Sequence, residues 1–213
     1  MTKKMLVLAL AAMFAVSGAV SAGLLNSEEP GEVSATGWYL FPGDGDFNTF
    51  KGAAGVQGAY REWFSFPWGV GVNAGWGTFL ANKDSSSYKV SYLNDFKGEC
   101  FVLPVGASLF FNVIDWDNWN LILGTGLQFL IVDSNLSAWN EDAGKRQDID
   151  VGNALLWNIA AEYEYMVSEK IYVLGGAGYQ VDVIRADTDY PGGDLRDTSF
   201  RGLFVNLGLK FLF

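Results

Sequence analysis

Apolar residues recur at every second position through most of this chain, and this alternation is the feature that most constrains its fold. From Trp119 to Ile131 the odd positions are mainly large and apolar, whereas the even positions carry glycine and side-chain amides. The C-terminal segment GLFVNLGLKFLF, residues 202–213, alternates in the same way. A period of two is the signature of a β-strand, because successive side chains point to opposite faces of a sheet.

The same period recurs in segments separated by polar or glycine-containing stretches, and it predicts eight strands. Composition agrees, since the chain has 26 Gly, 8 Trp, 9 Tyr and 16 Phe among 213 residues, a combination typical of all-β proteins. The predicted strands lie near 33–41, 51–64, 68–81, 98–113, 119–133, 150–166, 170–185 and 199–213.

The connections alternate between short and long. Three are tight turns, at 65–68, 115–118 and 167–169. Four are longer and polar, at 42–50, 82–97, 134–149 and 186–198. Short turns at one end and long loops at the other are typical of bacterial outer-membrane barrels. The sequence therefore predicts an all-β fold, an eight-stranded antiparallel up-and-down transmembrane β-barrel.

Alternation alone does not say which face points outward, because a soluble barrel also alternates. Here the second face is dominated by glycine with scattered amides and acids. Glycine is a poor choice on a solvent-facing strand but suits a narrow lumen. We therefore expect the bulky apolar face to meet lipid, with a soluble secreted barrel as the alternative.

Aromatic residues cluster near the tight turns, as a girdle at a membrane interface would. The residues assigned to this girdle are Trp63, Phe64, Trp68, Trp116, Trp119, Tyr163, Tyr165, Tyr172, Phe211 and Phe213. In the first strand the alternation is weak, and we expect Trp38 to point outward and Tyr39 inward.

The first 22 residues have the order of a secretory signal peptide, with Lys3 and Lys4 before an apolar run and small residues at Ser21 and Ala22. The predicted organisation is a signal peptide at 1–22 and a barrel domain at 23–213. The net charge of −10 argues against nucleic acid as a partner, which requires clustered Lys and Arg.

Charged side chains on the predicted inner face lie near the tight-turn ends of their strands. Two acids and two bases at similar depth should pair, because an isolated buried charge is costly. Such pairs would plug the lumen, and an ion path is the alternative. The predicted charge network is Arg61, Glu162, Glu164 and Lys210, extended by Gln57, Asn73, Gln128, Asn158, Asp182 and Asn206.

The chain offers little for catalysis. It contains no His and a single Cys, Cys100, which excludes His-based triads and His-based metal sites. Glu162 and Glu164 could mimic a paired-carboxylate site, but ion pairing explains them better. We expect a non-enzymatic protein with no catalytic residues, no cofactor and no metal.

The signal peptide, the TGWYLFPG segment, the alternating turns and loops and the terminal NLGLKFLF resemble the small OmpA/OmpX-like outer-membrane β-barrel families. The resemblance implies a site in the outer membrane of a Gram-negative-type bacterium, contact with its lipid, and insertion by the barrel-assembly machinery with periplasmic chaperones. The residues that match the C-terminal assembly signal are Leu207, Leu209, Phe211 and Phe213.

Two functions remain open. The first is a structural or surface-recognition role through the long loops, in which an unidentified extracellular ligand would meet exposed aromatic residues. The second is a narrow OmpW-like channel for ions or small hydrophobic solutes. The candidate loop contacts are Tyr88, Tyr92, Trp139 and Tyr190.

Overall fold

The computed structural model describes residues 31–43, 50–81, 93–190, 193–194 and 198–213. The predicted signal peptide at 1–22 lies outside these residues. Every element within them is a β-strand. The strands are β1 (Glu32–Pro42), β2 (Phe50–Ser65), β3 (Trp68–Ala81), β4 (Leu93–Trp116), β5 (Trp119–Asn140), β6 (Lys145–Val151), β7 (Ala154–Ser168), β8 (Ile171–Ile184), β9 (Thr188–Tyr190), β10 (Gly193–Asp194) and β11 (Gly202–Leu212).

Eight of these strands close into a barrel. They follow one another in the order β1, β2, β3, β4, β5, β7, β8 and β11, and β11 pairs with β1 to complete the ring. Every pairing is antiparallel. The predicted fold class, an eight-stranded antiparallel up-and-down barrel, is therefore confirmed.

The turns at 66–67, 117–118 and 169–170 define a short-turn end of the barrel, and we call the opposite end the long-loop end. The main difference from prediction lies at the long-loop end, where β4 and β5 run for 24 and 22 residues. The predicted loop at 134–149 is instead a hairpin, because β5 continues to Asn140 and pairs with β6. The predicted strand at 150–166 is correspondingly divided into β6 and β7.

Asn153, the polar residue that interrupts an apolar row in the sequence, lies where β5 changes partner. Residues 119–130 of β5 pair with β7, and residues 136–140 pair with β6. At this fork the Val132 amide donates to Asn153 Oδ1 at 3.0 Å. The Val151 amide likewise donates to Ser134 Oγ at 3.0 Å. Side chains thus replace the strand partners that the fork removes, since unpaired backbone groups are costly.

The outer face of the barrel is apolar and exposed. On β11, Leu207 is 67% exposed, although leucine is normally buried in soluble proteins. The other large apolar residues exposed on barrel strands include Val56, Leu80, Leu109, Leu127, Ile159, Val183 and Leu203. Such a continuous belt is unstable in water and suits a lipid surrounding. Among the described residues no helix is both long and apolar enough to cross a membrane.

Four aromatic residues point the opposite way from prediction. Trp38 lines the lumen whereas Tyr39 is exposed outside, because inward positions on β1 are even-numbered, as Ser34 and Thr36 show. Trp63 is buried and donates to a lumen carboxylate. Tyr172 packs on Lys210 inside the barrel. Trp63 and Tyr172 were assigned to the outer face because they lie near a tight turn. The face of a strand residue is instead decided by whether its position is odd or even along its own strand.

Candidate functional site

Arg61 is the centre of a charge cluster inside the short-turn end of the lumen. Its Nη2 donates to Glu162 Oε1 at 2.5 Å, and its Nη1 lies 3.0 Å from Glu164 Oε1. A third carboxylate, Glu32 Oε2, lies 3.3 Å from the same Nη1. The planar guanidinium can serve several carboxylates at once because its donors spread as a fork.

Lys210 is the second cation of this cluster. Its Nζ donates to Glu164 Oε2 at 2.5 Å and to Glu32 Oε1 at 3.0 Å. Arg61 and Lys210 thus share two of their acidic partners. The structure therefore brings all four sequence-predicted charged residues into one network, which joins β1, β2, β7 and β11.

Glu32 is the member of the network that the sequence analysis missed. It is buried, and its Oε1 also accepts a hydrogen bond from Trp63 Nε1 at 2.9 Å. The predicted first strand began at residue 33, so Glu32 was left outside it. The available signal was parity, because Glu32 shares the even face of β1 with Ser34 and Thr36.

Aromatic rings enclose both cations. The Arg61 guanidinium lies 4.2 Å from the ring centre of Phe110 and 5.7 Å from that of Trp63. Lys210 Nζ lies 4.4 Å from the ring centre of Tyr172. Rings placed in this way attract a cation and exclude water from it, so they strengthen the ion pairs at the short-turn end of the lumen.

A chamber of about 140 Å³ lies above the charge cluster. Its floor includes Arg61, Glu162 and Lys210. Five of the six predicted polar lumen residues line its wall, namely Gln57, Asn73, Gln128, Asn158 and Asn206.

Asp182, the sixth predicted polar residue, does not line this chamber. It accepts hydrogen bonds from Ser199 Oγ and, at 2.8 Å, from the Phe200 amide. Its carboxylate therefore holds the segment that enters β11, at the long-loop end of the barrel, rather than extending the network upward.

Apolar side chains fill the lumen toward the long-loop end. Phe79 makes an edge contact with Phe200 at 4.9 Å between ring centres, and Phe50 stacks on Phe200 at 5.6 Å. The surrounding buried residues include Leu40, Val102, Leu130 and Leu156. The chamber thus lies between a charged layer and an apolar layer.

Beyond the barrel rim, β4 and β5 continue into a small sheet with β6, β9 and β10, which we call the extended sheet. Trp139 lies on this sheet with 41% of its surface exposed, and Tyr190 ends β9. The two other candidate loop contacts, Tyr88 and Tyr92, lie outside the described residues.

The charged groups of the lumen are engaged in charge pairing and hydrogen bonding. Within the described ranges, no group of three or more Asp, Glu or Cys side chains is placed to hold a metal ion. Cys100 is fully buried. Glu162 pairs with Arg61 and lines the chamber, whereas the fully buried Glu164 pairs with both cations.

The C-terminal strand shows its predicted signal residues on the outer face. Leu207, Leu209, Phe211 and Phe213 are all exposed. The Phe213 ring stacks on Tyr60 of β2 at 6.2 Å between centres. These residues therefore lie on the face of the barrel that meets lipid.

No protein-family model matches this sequence, and no curated protein matches it. Solved structures of outer-membrane proteins do match its fold. The outer-membrane protein OprG from Pseudomonas aeruginosa aligns with a TM-score of 0.64 at 13% identity, covering 89% of this chain and 98% of its own.

Two further structures match less closely. A major outer-membrane protein from Thermus thermophilus aligns with a TM-score of 0.56 at 13% identity, covering 87% of this chain and 100% of its own. E. coli outer membrane protein W aligns with a TM-score of 0.52 at 14% identity, covering 89% and 100%. The chain thus has the fold of small eight-stranded outer-membrane barrels, and its apolar belt agrees with that location.

Proposed function

We propose that this protein is a non-enzymatic outer-membrane barrel whose lumen is closed and whose binding surface stands above the long-loop end. The observation that carries the closed lumen is the network of Arg61 and Lys210 with two buried carboxylates, Glu32 and Glu164, and the partly buried Glu162. It draws side chains from four strands across a barrel of only eight, a size that side chains can fill.

Passage through the short-turn end would require these ion pairs to separate. Separation would leave desolvated charges without partners, at a cost of several kcal/mol. The apolar layer around Phe79 and Phe200 adds a second barrier, because ions lose their hydration there. The two layers together support a barrel that does not conduct steadily.

The part of the chain best placed for recognition is the extended sheet. A membrane-crossing strand needs about 9–11 residues, whereas β4 and β5 have 24 and 22. Roughly half of each strand therefore stands beyond the membrane. Aromatic side chains on rigid, exposed elements suit binding, and Trp139 is the described candidate for contact with an unidentified extracellular ligand.

We further propose that the C-terminal strand directs insertion of the barrel into the outer membrane. The exposed alternation that ends in Phe213 fits a signal read by the barrel-assembly machinery, with periplasmic chaperones protecting the apolar face before insertion. Outer-membrane lipid is then the permanent partner of that face.

Planar-bilayer conductance of the purified barrel tests the closed lumen. We expect no steady channels from the wild type. Glu162→Gln and Arg61→Ala should introduce openings, since each removes part of the network, while the exposed turn variant Glu169→Gln should match the wild type. Steady wild-type channels whose conductance changes in Glu162→Gln would refute the closed lumen.

A narrow channel for ions or small hydrophobic solutes is the second candidate function. The chamber of about 140 Å³ inside the lumen favours it, because a conducting path needs interior space that polar groups can solvate. The same conductance measurement separates the two functions, and solute uptake by proteoliposomes extends it to uncharged compounds.

A further inference from the structure

The charges of the lumen cluster do not balance when every carboxyl group is ionised. Glu32, Glu162 and Glu164 then supply three negative charges, whereas Arg61 and Lys210 supply two positive ones. The other described residues that line the chamber carry no formal charge at neutral pH. An uncompensated charge is costly inside a narrow barrel, and a group in this position is normally neutralised.

Glu162 and Glu164 are held side by side by their strand and by Arg61. They are two residues apart on β7, so their side chains point to the same face of the strand. The Arg61 guanidinium bridges them, since its Nη2 lies 2.5 Å from Glu162 Oε1 and its Nη1 lies 3.0 Å from Glu164 Oε1. One cation therefore gathers two carboxyl groups at a single point of the lumen.

The carboxyl groups of Glu162 and Glu164 are also hydrogen-bonded to each other. An ionised carboxylate only accepts hydrogen bonds, so a bond between two carboxyl groups requires a proton on one of them. Two like charges in contact also oppose ionisation of both groups. The contact and the charge count thus lead independently to the same result, one bound proton.

The remaining contacts of the two carboxyl groups differ. Glu164 is fully buried, and Lys210 Nζ donates to its Oε2 at 2.5 Å. Glu162 pairs with Arg61, lines the chamber and keeps 17% of its side chain exposed. Because Glu164 has two cationic partners, the negative charge of the pair lies mainly on Glu164 and the proton mainly on Glu162.

The other titratable groups around the pair come from several strands. Tyr172 packs on Lys210, and the neutral Asn120 of β5 lies 3.4 Å from Glu164. Glu32 has both Arg61 and Lys210 as partners, so the unbalanced charge falls on the Glu162–Glu164 pair. The complete set is Glu32 on β1, Arg61 on β2, the exposed Asp115 on β4 beside Asn120, Tyr172 on β8 and Lys210 on β11.

We propose that the lumen cluster binds one proton at neutral pH, shared between Glu162 and Glu164, and that this proton makes the short-turn end of the barrel sensitive to alkali. With the proton bound, three positive charges face three negative ones. When the proton leaves, one negative charge is uncompensated and the two carboxylates repel each other. The ion pairs that tie β7 to β2 and β11 are then weakened.

Folding takes up this proton, because glutamates in the unfolded chain are ionised at neutral pH. A proton bound only by the folded state stabilises that state at lower pH, and the contribution is lost as the pH rises and the proton leaves. One such proton raises the unfolding equilibrium constant by up to about ten-fold for each pH unit.

Carbon-13 NMR of the glutamate carboxyl groups, with the barrel in detergent micelles, locates the proton. The resonances of Glu32, Glu162 and Glu164 are assigned by their loss in the matching Gln variants. At neutral pH we expect the Glu162 resonance to be displaced toward that of a carboxylic acid, and Glu32 to remain a carboxylate. As the pH rises, the Glu162 and Glu164 resonances should move together, since coupled groups titrate as a pair.

Urea unfolding from about pH 6 to about pH 8 measures the linkage. The unfolding equilibrium constant of the wild type should rise by up to about ten-fold per pH unit. Glu162→Gln should lose this dependence because its amide does not titrate, and the exposed turn variant Glu169→Gln should retain it. Glu164→Gln should lose it too, which supplies a second variant if Glu162→Gln does not fold. Neither readout depends on whether the barrel conducts.

Three outcomes would overturn the proposal. The first is a wild-type spectrum at neutral pH in which Glu162 and Glu164 are both carboxylates. The second is an acid resonance that belongs to Glu32. The third is a pH dependence of unfolding that is the same in the wild type, Glu162→Gln and Glu164→Gln.

Discussion

Lys210 Nζ lies 2.5 Å from Glu164 Oε2, and both side chains are buried. Lys210 belongs to β11, the last strand, whereas Glu164 belongs to β7, and β8 separates the two in the barrel wall. The pair therefore links strands that share no backbone hydrogen bonds. It ties the closing strand to the lumen network.

Replacing Lys210 by Met should destabilise the barrel by roughly 3–5 kcal/mol, because Glu32 and Glu164 would keep buried charges without this partner. Urea unfolding followed by heat-modifiable gel migration measures the loss. Lys170→Met, at an exposed turn, is the control and should change little. The double variant Lys210→Met with Glu164→Gln should lose less than the sum of the single losses, and additive losses would contradict the pairing.

Gly77 makes room for the Trp38 indole inside the lumen. A Cβ at Gly77 would lie 2.5 Å from Cη2 of Trp38, so Gly77→Ala should cost about 1–3 kcal/mol by overpacking. At Gly58 on the outer face, the nearest atom to an added Cβ is 3.9 Å away. Gly58→Ala should therefore stay within about 0.5 kcal/mol of the wild type. Equal losses in unfolding measurements would contradict the inward position of Trp38.

Charged substitutions on β11 should report membrane depth. Leu207 lies in the middle of the strand and Leu203 near the long-loop end, and both face outward. In lipid vesicles Leu207→Arg should cost about 2–4 kcal/mol and Leu203→Arg about 0–1 kcal/mol. The free energy of unfolding in denaturant titrations measures both. A larger loss at Leu203 would show that the belt is placed wrongly.

Asp95 should make the extended sheet sensitive to acid. It lies on β4 above the last β3–β4 pair, Leu80 with Glu99, and thus outside the barrel wall. A hydrogen bond from Lys97, with a further contribution from Arg146, lowers the pKa of Asp95 below its ordinary value. A depressed folded-state pKa stabilises the sheet above the unfolded pKa, and this contribution is lost as the pH falls through the folded value.

Amide hydrogen exchange in the β5–β6 hairpin checks this dependence. Asp95 has a positive φ of 49°, which asparagine also tolerates, so Asp95→Asn is a matched control. The wild type should be better protected than Asp95→Asn at neutral pH, and the difference should vanish in acid. A difference that is unchanged in acid would refute the role of the carboxylate.

The alternation of apolar and small residues was sufficient to predict the barrel, because lipid outside and a narrow lumen inside impose opposite demands on successive positions. Parity also placed Arg61, Glu162, Glu164 and Lys210 on one face, and the structure joins them. The ends of the strands were harder to predict than their existence. Strands that extend beyond the membrane do not need a continuous apolar face. The polar β5–β6 hairpin at 134–149 therefore resembled a loop in the sequence.

The errors in the lumen have a common origin. Trp63 and Tyr172 were assigned by their distance from a turn, and Glu32 was excluded by a strand boundary one residue late. Each residue follows the parity of its own strand. The Oδ1 atoms of Asn73 and Asn206 are buried and have no hydrogen-bond partner among the described residues. Their surroundings could not be predicted, since they depend on how closely glycines on neighbouring strands approach.

Outer-membrane fractionation combined with heat-modifiable gel migration tests the central claim, a barrel with lipid outside and paired charges inside. The account predicts that the protein sediments with the outer membrane, requires detergent for extraction, and shifts in migration on heating. Recovery from the periplasm or the medium without detergent, with no shift on heating, would contradict it.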